Sequence, residues 1–187
     1  DYVGIKARME VQVGDAVKRG QLLLEDRKNP GVLFTAPAAG TVKAVNRGAK
    51  RALLSVVIEL SDAEKAGKGE DEHVTFESYS GKGADELSRE DVAALLKESG
   101  EWSALRQRPF STVPAVDSEP HALFINAMDT HPLAPDLDLV YAEHREAFDL
   151  GVTLLSKLTS GKTYLCSGGS SKVTHGTTPA QTEVFDG

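Results

Sequence analysis

Apolar and polar residues alternate near the start of the chain, with Met9, Val11 and Val13 set against Glu10 and Gln12. That is the period of a strand with one buried face. A tight turn at Val13-Gly14-Asp15 follows, then an apolar strand, Leu22-Leu23-Leu24-Glu25, which rises to a polar tip. Ala36-Pro37-Ala38-Ala39-Gly40 turns the chain back into Thr41-Val42, and Leu54-Ser55-Val56-Val57-Ile58-Glu59-Leu60 supplies a closing strand. Residues 61–72, SDAEKAGKGEDE, have no apolar face and are expected to form a mobile surface loop. Ser88-Arg89-Glu90-Asp91 has the form of a helix N-cap, and Val92, Leu95 and Leu96 should face inward on a helix that stops at Gly100. Further on, Ala122-Leu123-Phe124-Ile125-Asn126-Ala127 fits a buried parallel strand. Phe148, Gly151, Val152, Leu155 and Leu158 mark one face of a helix ending near Gly161, and the next strand runs from Thr163 to Ser167. This β–α–β order predicts an α/β layer with a right-handed crossover. The expected organisation is a β domain over residues 1–60, a charged loop, capped helix and connecting segment over 61–120, and the start of an α/β domain over 121–187.

Charge supports the first of these divisions. Residues 1–60 carry ten Lys/Arg against six Asp/Glu, whereas residues 61–187 carry eleven against twenty-two. The basic excess is small and is not interleaved with aromatics, which argues against a nucleic-acid partner. No apolar run approaches the roughly 18 residues needed to cross a bilayer. The opening Asp1-Tyr2-Val3-Gly4 has no leader character, and the final Glu183-Val184-Phe185-Asp186-Gly187 is expected to lie inside a longer chain. A basic cluster, Arg47, Lys50 and Arg51, is either a docking patch or the solvated end of a hairpin.

Few residues carry obvious chemistry. The lone Cys166 lies in an apolar run and reads as a small hydrophobe rather than a nucleophile. His73, His121, His131, His144 and His175 have no metal-ligand spacing. Ser167 and Ser170 lie near glycine but outside a GxSxG pattern, and Gly168-Gly169-Ser170-Ser171 is not GxGxxG and is expected to form a hairpin or loop turn. Asp136 and Asp138 are expected to be loop charges, because Pro132 and Pro135 keep the local chain out of a helix.

Residues 13–45 resemble a biotinyl/lipoyl-type barrel-sandwich domain. In carriers of that architecture the hairpin tip presents a modified lysine, and Lys28 sits near that place. Here the tip reads Asp26-Arg27-Lys28-Asn29-Pro30-Gly31, whose rigid turn after the lysine favours a solvated turn residue over a covalent acceptor.

Longer motifs narrow the resemblance. Asp26-Arg27-Lys28-Asn29-Pro30-Gly31-Val32, Asn46-Arg47-Gly48-Ala49-Lys50-Arg51, the segment from Ser99 to Pro114, and Ala127-Met128-Asp129-Thr130 occur in one order along the chain. Together they resemble the A-subunit family of the sodium-translocating NADH:quinone oxidoreductases, which are bacterial respiratory pumps. The resemblance implies a barrel-sandwich hybrid β domain followed by part of a Rossmann-like α/β domain related to the flavin subunit of complex I. It implies a peripheral subunit on the cytoplasmic face of the inner membrane, partnered by the other subunits of the pump, especially its membrane subunits. The assembly transfers electrons from NADH to ubiquinone, coupled to sodium export, through FAD, FMN, riboflavin and an iron–sulfur (Fe-S) centre on other subunits. No redox cofactor is expected in this chain, because Trp102-Ser103-Ala104-Leu105-Arg106-Gln107-Arg108-Pro109 stands where the flavin subunit has a glycine-rich loop. Trp102, Arg106, Arg108 and Phe110 are candidates for covering a quinone or touching a neighbouring subunit; equally, the tryptophan plugs a core with arginines at its rim. The competing readings are a flavin-binding NADH dehydrogenase module of complex I or Rnf type and a lipoyl or biotinyl carrier.

Overall fold

A computed structural model of the chain describes residues 4–185. The opening Asp1-Tyr2-Val3, expected to begin without leader character, and the final Asp186-Gly187 lie outside the described residues. Two compact units are present: residues 1–80 with 93–118, and residues 81–92 with 119–187.

The first unit is built on six antiparallel strands: β1 Ala7–Met9, β2 Ala16–Val17, β3 Leu22–Asp26, β4 Leu33–Thr35, β5 Gly40–Arg47 and β6 Leu53–Leu60. They form two three-stranded sheets, ordered β1-β3-β4 and β2-β5-β6. Val17, Leu23, Ala36 and Val42 are the buried core, with Val11, Val45, Val56 and Ile58 packed against it. Fully burying a valine- or leucine-sized side chain contributes roughly 1.5–3 kcal/mol. The alternation of Met9, Val11 and Val13 does not extend one strand through all three. β1 ends at Met9, and Val13 stands exposed in the turn where the Asp15 N–H donates to the Gln12 carbonyl. Turn formation and period-two alternation compete there, and Gly14, at φ +99°, decides for the turn.

Residues 61–72 contain short helical turns rather than an irregular loop. Ser61 caps a one-turn helix, α1 Asp62–Lys65, by accepting the Glu64 N–H, and Ser61 also donates to Glu72. The Glu64 carboxylate accepts the Ala39 N–H at 2.9 Å and pairs with Arg19 at 2.6 Å, which holds its pKa below the usual glutamate range. The segment is ordered by polar groups satisfying one another, a source of order that apolar periodicity does not report.

Helix α2, Arg89–Glu98, follows the expected cap: the Asp91 N–H donates to Ser88 Oγ, and the Ser88 N–H donates to the Asp91 carboxylate. Gly100, at φ +85°, ends the run as expected.

The second unit carries a parallel sheet, β7 Ala122–Ala127, β8 Lys162–Gly168 and β9 Gln181–Phe185, in that spatial order. Helix α3, Leu137–Ser156, connects β7 to β8. Alternate residues of β7 and β8 meet this helix, so Ala127, Leu165 and Val152 form a core with Val173 and Ala180. On the other face Phe124 stacks on Tyr164, with ring centroids 5.1 Å apart. None of the helices among the described residues is long and apolar enough to cross a membrane. Leu165 has no exposed surface, so Leu165→Ala should cost about 2–5 kcal/mol in urea denaturation, the cost of a methyl-lined cavity at the centre of this sheet.

Candidate functional site

In open parallel sheets ligands bind outside the carboxyl ends of the strands, often at the N-terminus of the following helix. A cleft of about 500 Å³ lies there in the second unit, formed by the segments after β7 and β8, the start of α3 and Phe185. The chain fills the anion positions of this cleft with its own carboxylates. Asp136 is the N-cap of α3 and accepts the Asp138 N–H at 3.0 Å. Asp138, in the first turn, accepts Ser171 Oγ–H at 2.8 Å and the Lys172 N–H at 2.9 and 3.0 Å. The Lys172 N–H, then the Ser171 hydroxyl, hold the Asp138 pKa below the usual aspartate range. Asp129 accepts the His131 N–H at 3.0 Å and faces His131 Nδ1 at 2.6 Å, which lowers its pKa in the same direction.

This corrects the assignment of Asp136 and Asp138 as loop charges. Pro132 and Pro135 precede the cap, where proline is harmless, and the helix starts immediately afterwards. The missed signal was Asp136 followed by Leu137, Val140, Tyr141 and His144 at helical spacing. Gly168-Gly169-Ser170-Ser171 is a turn, closed by the Ser171 N–H on the Gly168 carbonyl, and it leads to a parallel strand rather than a hairpin. A flavin or nicotinamide phosphate does not fit this arrangement. The donors that would hold it already serve carboxylates, and like charges a few ångströms apart repel. Among the described residues no group of three or more His, Cys, Asp or Glu is placed to hold a metal. Burial, with Glu183 nearby, pushes the Cys166 thiol up, so the residue remains a thiol at neutral pH.

The hairpin tip of the barrel-sandwich domain is tied to neighbouring segments by hydrogen bonds. Lys28 Nζ donates to the Gly4 carbonyl at 2.6 Å. Buried Asp26 accepts the Lys6 and Lys28 N–H groups at 2.9 and 3.0 Å. Asn29 Nδ2 donates to the carbonyls of Val113 and Pro114 at 3.2 and 3.0 Å.

The four candidate contact residues separate. Trp102 is 2% exposed, and its indole N–H donates to the Pro114 carbonyl at 3.0 Å, which is the core-plug arrangement. Arg106 donates to the carbonyls of Ser103 and Leu105. Arg108 is exposed, and Phe110 is 84% exposed at the end of a turn bridged by Gln107 and Thr112. Arg47, Lys50 and Arg51 lie together at the exposed end of the β5–β6 hairpin, where Arg47 Nη1 donates to the Arg51 carbonyl at 3.1 Å. Sequence reasoning missed Asn29 as a contact residue, because its partners are 84 and 85 positions away.

Fold and sites together define a class: a carrier-type barrel-sandwich domain with a pinned tip, followed by an α/β domain whose phosphate position is taken by the chain's own acids. The family descriptions "NqrA N-terminal barrel-sandwich hybrid domain" and "NqrA second alpha/beta domain" match residues 1–61 and 87–187. The chain belongs to the NqrA family. The A-subunit of the Na(+)-translocating NADH-quinone reductase of Vibrio atlanticus (strain LGP32) is 50% identical over 187 residues, covering 100% of this chain and 40% of that protein. Its counterparts in Pasteurella multocida (strain Pm70) and Vibrio campbellii (strain ATCC BAA-1116) are each 49% identical, over 92% and 100% of this chain and 37% and 40% of their own lengths. The chain thus spans about two fifths of the length of these relatives.

Asp138 gives a pH signature. Its folded pKa lies below the unfolded one, so its contribution is complete above the ordinary aspartate range and is lost as pH falls through the folded value. Asp138→Ala should lower the melting temperature at neutral pH and flatten the acid limb of stability, read by thermal unfolding from about pH 2 to 6.

Proposed function

We propose that this chain acts in a cytoplasmic, peripheral subunit of a sodium-translocating NADH:ubiquinone reductase. In this reading it supports electron transfer to ubiquinone, coupled to sodium export, without binding a redox cofactor of its own. NADH oxidation and the flavin and iron–sulfur chemistry belong to other subunits, which are its partners, the membrane subunits foremost. The observation that carries the reading is the sealed phosphate position: Asp138 takes the Ser171 and Lys172 donors at the mouth of the cleft located where a flavin or nicotinamide phosphate would bind. NADH-quinone reductase relatives at about half identity support the assembly it serves.

Contacts with the partners are assigned to two exposed places, the turn with Arg108 and Phe110 and the basic hairpin end with Arg47, Lys50 and Arg51. Trp102 and Arg106 support the first from behind. The carrier reading is disfavoured by the pinned tip around Lys28, and the dehydrogenase reading by the acids at the α3 N-terminus.

The purified chain should show the same bare mass under native and denaturing conditions and no flavin absorbance. A pump assembled without this subunit should keep NADH oxidation with an artificial acceptor and lose ubiquinone reduction. A stoichiometric flavin on the chain, or full ubiquinone reduction without it, would overturn the reading.

A further inference from the structure

Helix α3 is broken within its length. His144 takes φ −125° and ψ 23°, outside the helical region, so residues 137–143 and 145–156 are two helical runs within one element. Neither proline nor glycine stands at the break, so no backbone breaker dictates it. The two runs are held by different kinds of interaction. The second contains Val152, the one fully buried residue of the helix, and Phe148 packs beside it against the core of the parallel sheet. The first is tied at Asp138, whose carboxylate accepts the Ser171 hydroxyl at 2.8 Å and the Lys172 N–H at 2.9 and 3.0 Å.

Tyr141 is the apolar contact of the first run with that core. It meets Phe148 edge-on across the break, with ring centroids 5.3 Å apart, and the Arg145 guanidinium lies 5.9 Å from its ring centroid. The packing has a polar cost. The Tyr141 hydroxyl is buried and has no hydrogen-bond partner among the described residues. A hydroxyl in that position has lost its water and gained nothing in exchange. The Asp138 ties act in the opposite sense, and bonds to a charged carboxylate are stronger than those between neutral groups.

We propose that residues 137–143 are a hinged gate on the cleft at the carboxyl ends of β7 and β8, with His144 as the hinge and the Asp138 carboxylate as the latch. Leu137 and Asp138 line the cleft from the helix, Gly168 and Ser171 line it from the turn after β8, and the latch joins the two. Rotation about His144 breaks the latch and carries the helical wall away. It also returns the Tyr141 hydroxyl to water and leaves Val152 seated in the core. Two elements packed by unlike forces on either side of one non-helical residue are the arrangement in which a segment opens as a unit, and a hinge residue need not be small. The latch is autoinhibitory, because the carboxylate that closes the cleft also occupies the Ser171 and Lys172 donors. The inference concerns this domain alone and does not depend on the pump-subunit reading.

Spin-label distances in the full-length protein, with its native cysteines replaced by serine, test the gate. One label pair joins Leu139→Cys on the first run to Lys162→Cys at the start of β8; the control pair joins Leu150→Cys on the second run to Lys162→Cys. The first pair should show a minor second distance, and its share should rise about fivefold in Asp138→Ala and in Ser171→Ala, as expected for loss of charge-assisted bonds. The control pair should not change. Combining the two substitutions should add nothing further, since each removes the same contact. Ser171→Ala acts from across the cleft and leaves the sequence of the helix intact, so it separates loss of the latch from a weakened helix. A single distance for the first pair that persists in both variants would overturn the gate. An equal shift in the control pair would mean that the whole helix moves, and a response to Asp138→Ala without one to Ser171→Ala would mean that the helix end frays; either result also overturns it.

Discussion

Much of the first unit depends on a single carbonyl. Pro114 receives the indole N–H of Trp102 and the side-chain amide of Asn29, so the tryptophan core, the barrel hairpin tip and the returning segment share one acceptor. Each such bond contributes only about 0.5–1.5 kcal/mol net, but a buried indole left without its acceptor would cost about 1–3 kcal/mol. The asymmetry makes the junction hard to open once formed. Two things follow from it: the hairpin tip is tied to the returning segment, and the turn bearing Arg108 and Phe110 adjoins that tie.

The second unit uses a related device to a different end. A parallel sheet with a helix after its first strand creates backbone donors at the carboxyl ends of the strands, and other proteins with this fold satisfy such donors with a ligand's phosphate. Here Asp136 and Asp138 satisfy them internally. In the reading proposed above this position serves as a structural tie, since a carboxylate at a helix N-terminus is as favourable to the helix dipole as a bound anion.

What could be read from the sequence divides along physical lines. Strands β3, β6, β7 and β8, and the cap and end of α2, follow from local rules of periodicity, capping and glycine. Those rules concern residues close in the chain, so Ser88 with Asp91 was readable and is found hydrogen-bonded as expected. The failures are long-range or polar. Residues 61–72 looked unstructured because their order comes from Glu64 reaching Ala39 and Arg19. The first turns of α3 were hidden by two prolines that lie just outside the helix. Asn29 looked like part of a turn, and its partners at Val113 and Pro114 carry no signal in sequence spacing. Trp102, Arg106, Arg108 and Phe110 were grouped by adjacency, whereas folding sends the tryptophan inward and the phenylalanine outward.

The central claim is that this chain meets its partners at the turn bearing Arg108 and Phe110 and leaves redox chemistry to them. A photo-crosslinking benzoylphenylalanine in place of Phe110, irradiated in the assembled pump, addresses it most directly. The account predicts a covalent adduct joining this protein to one other protein subunit. Irradiation that yields adducts only with quinone or lipid, or none in an intact and active pump, would contradict it.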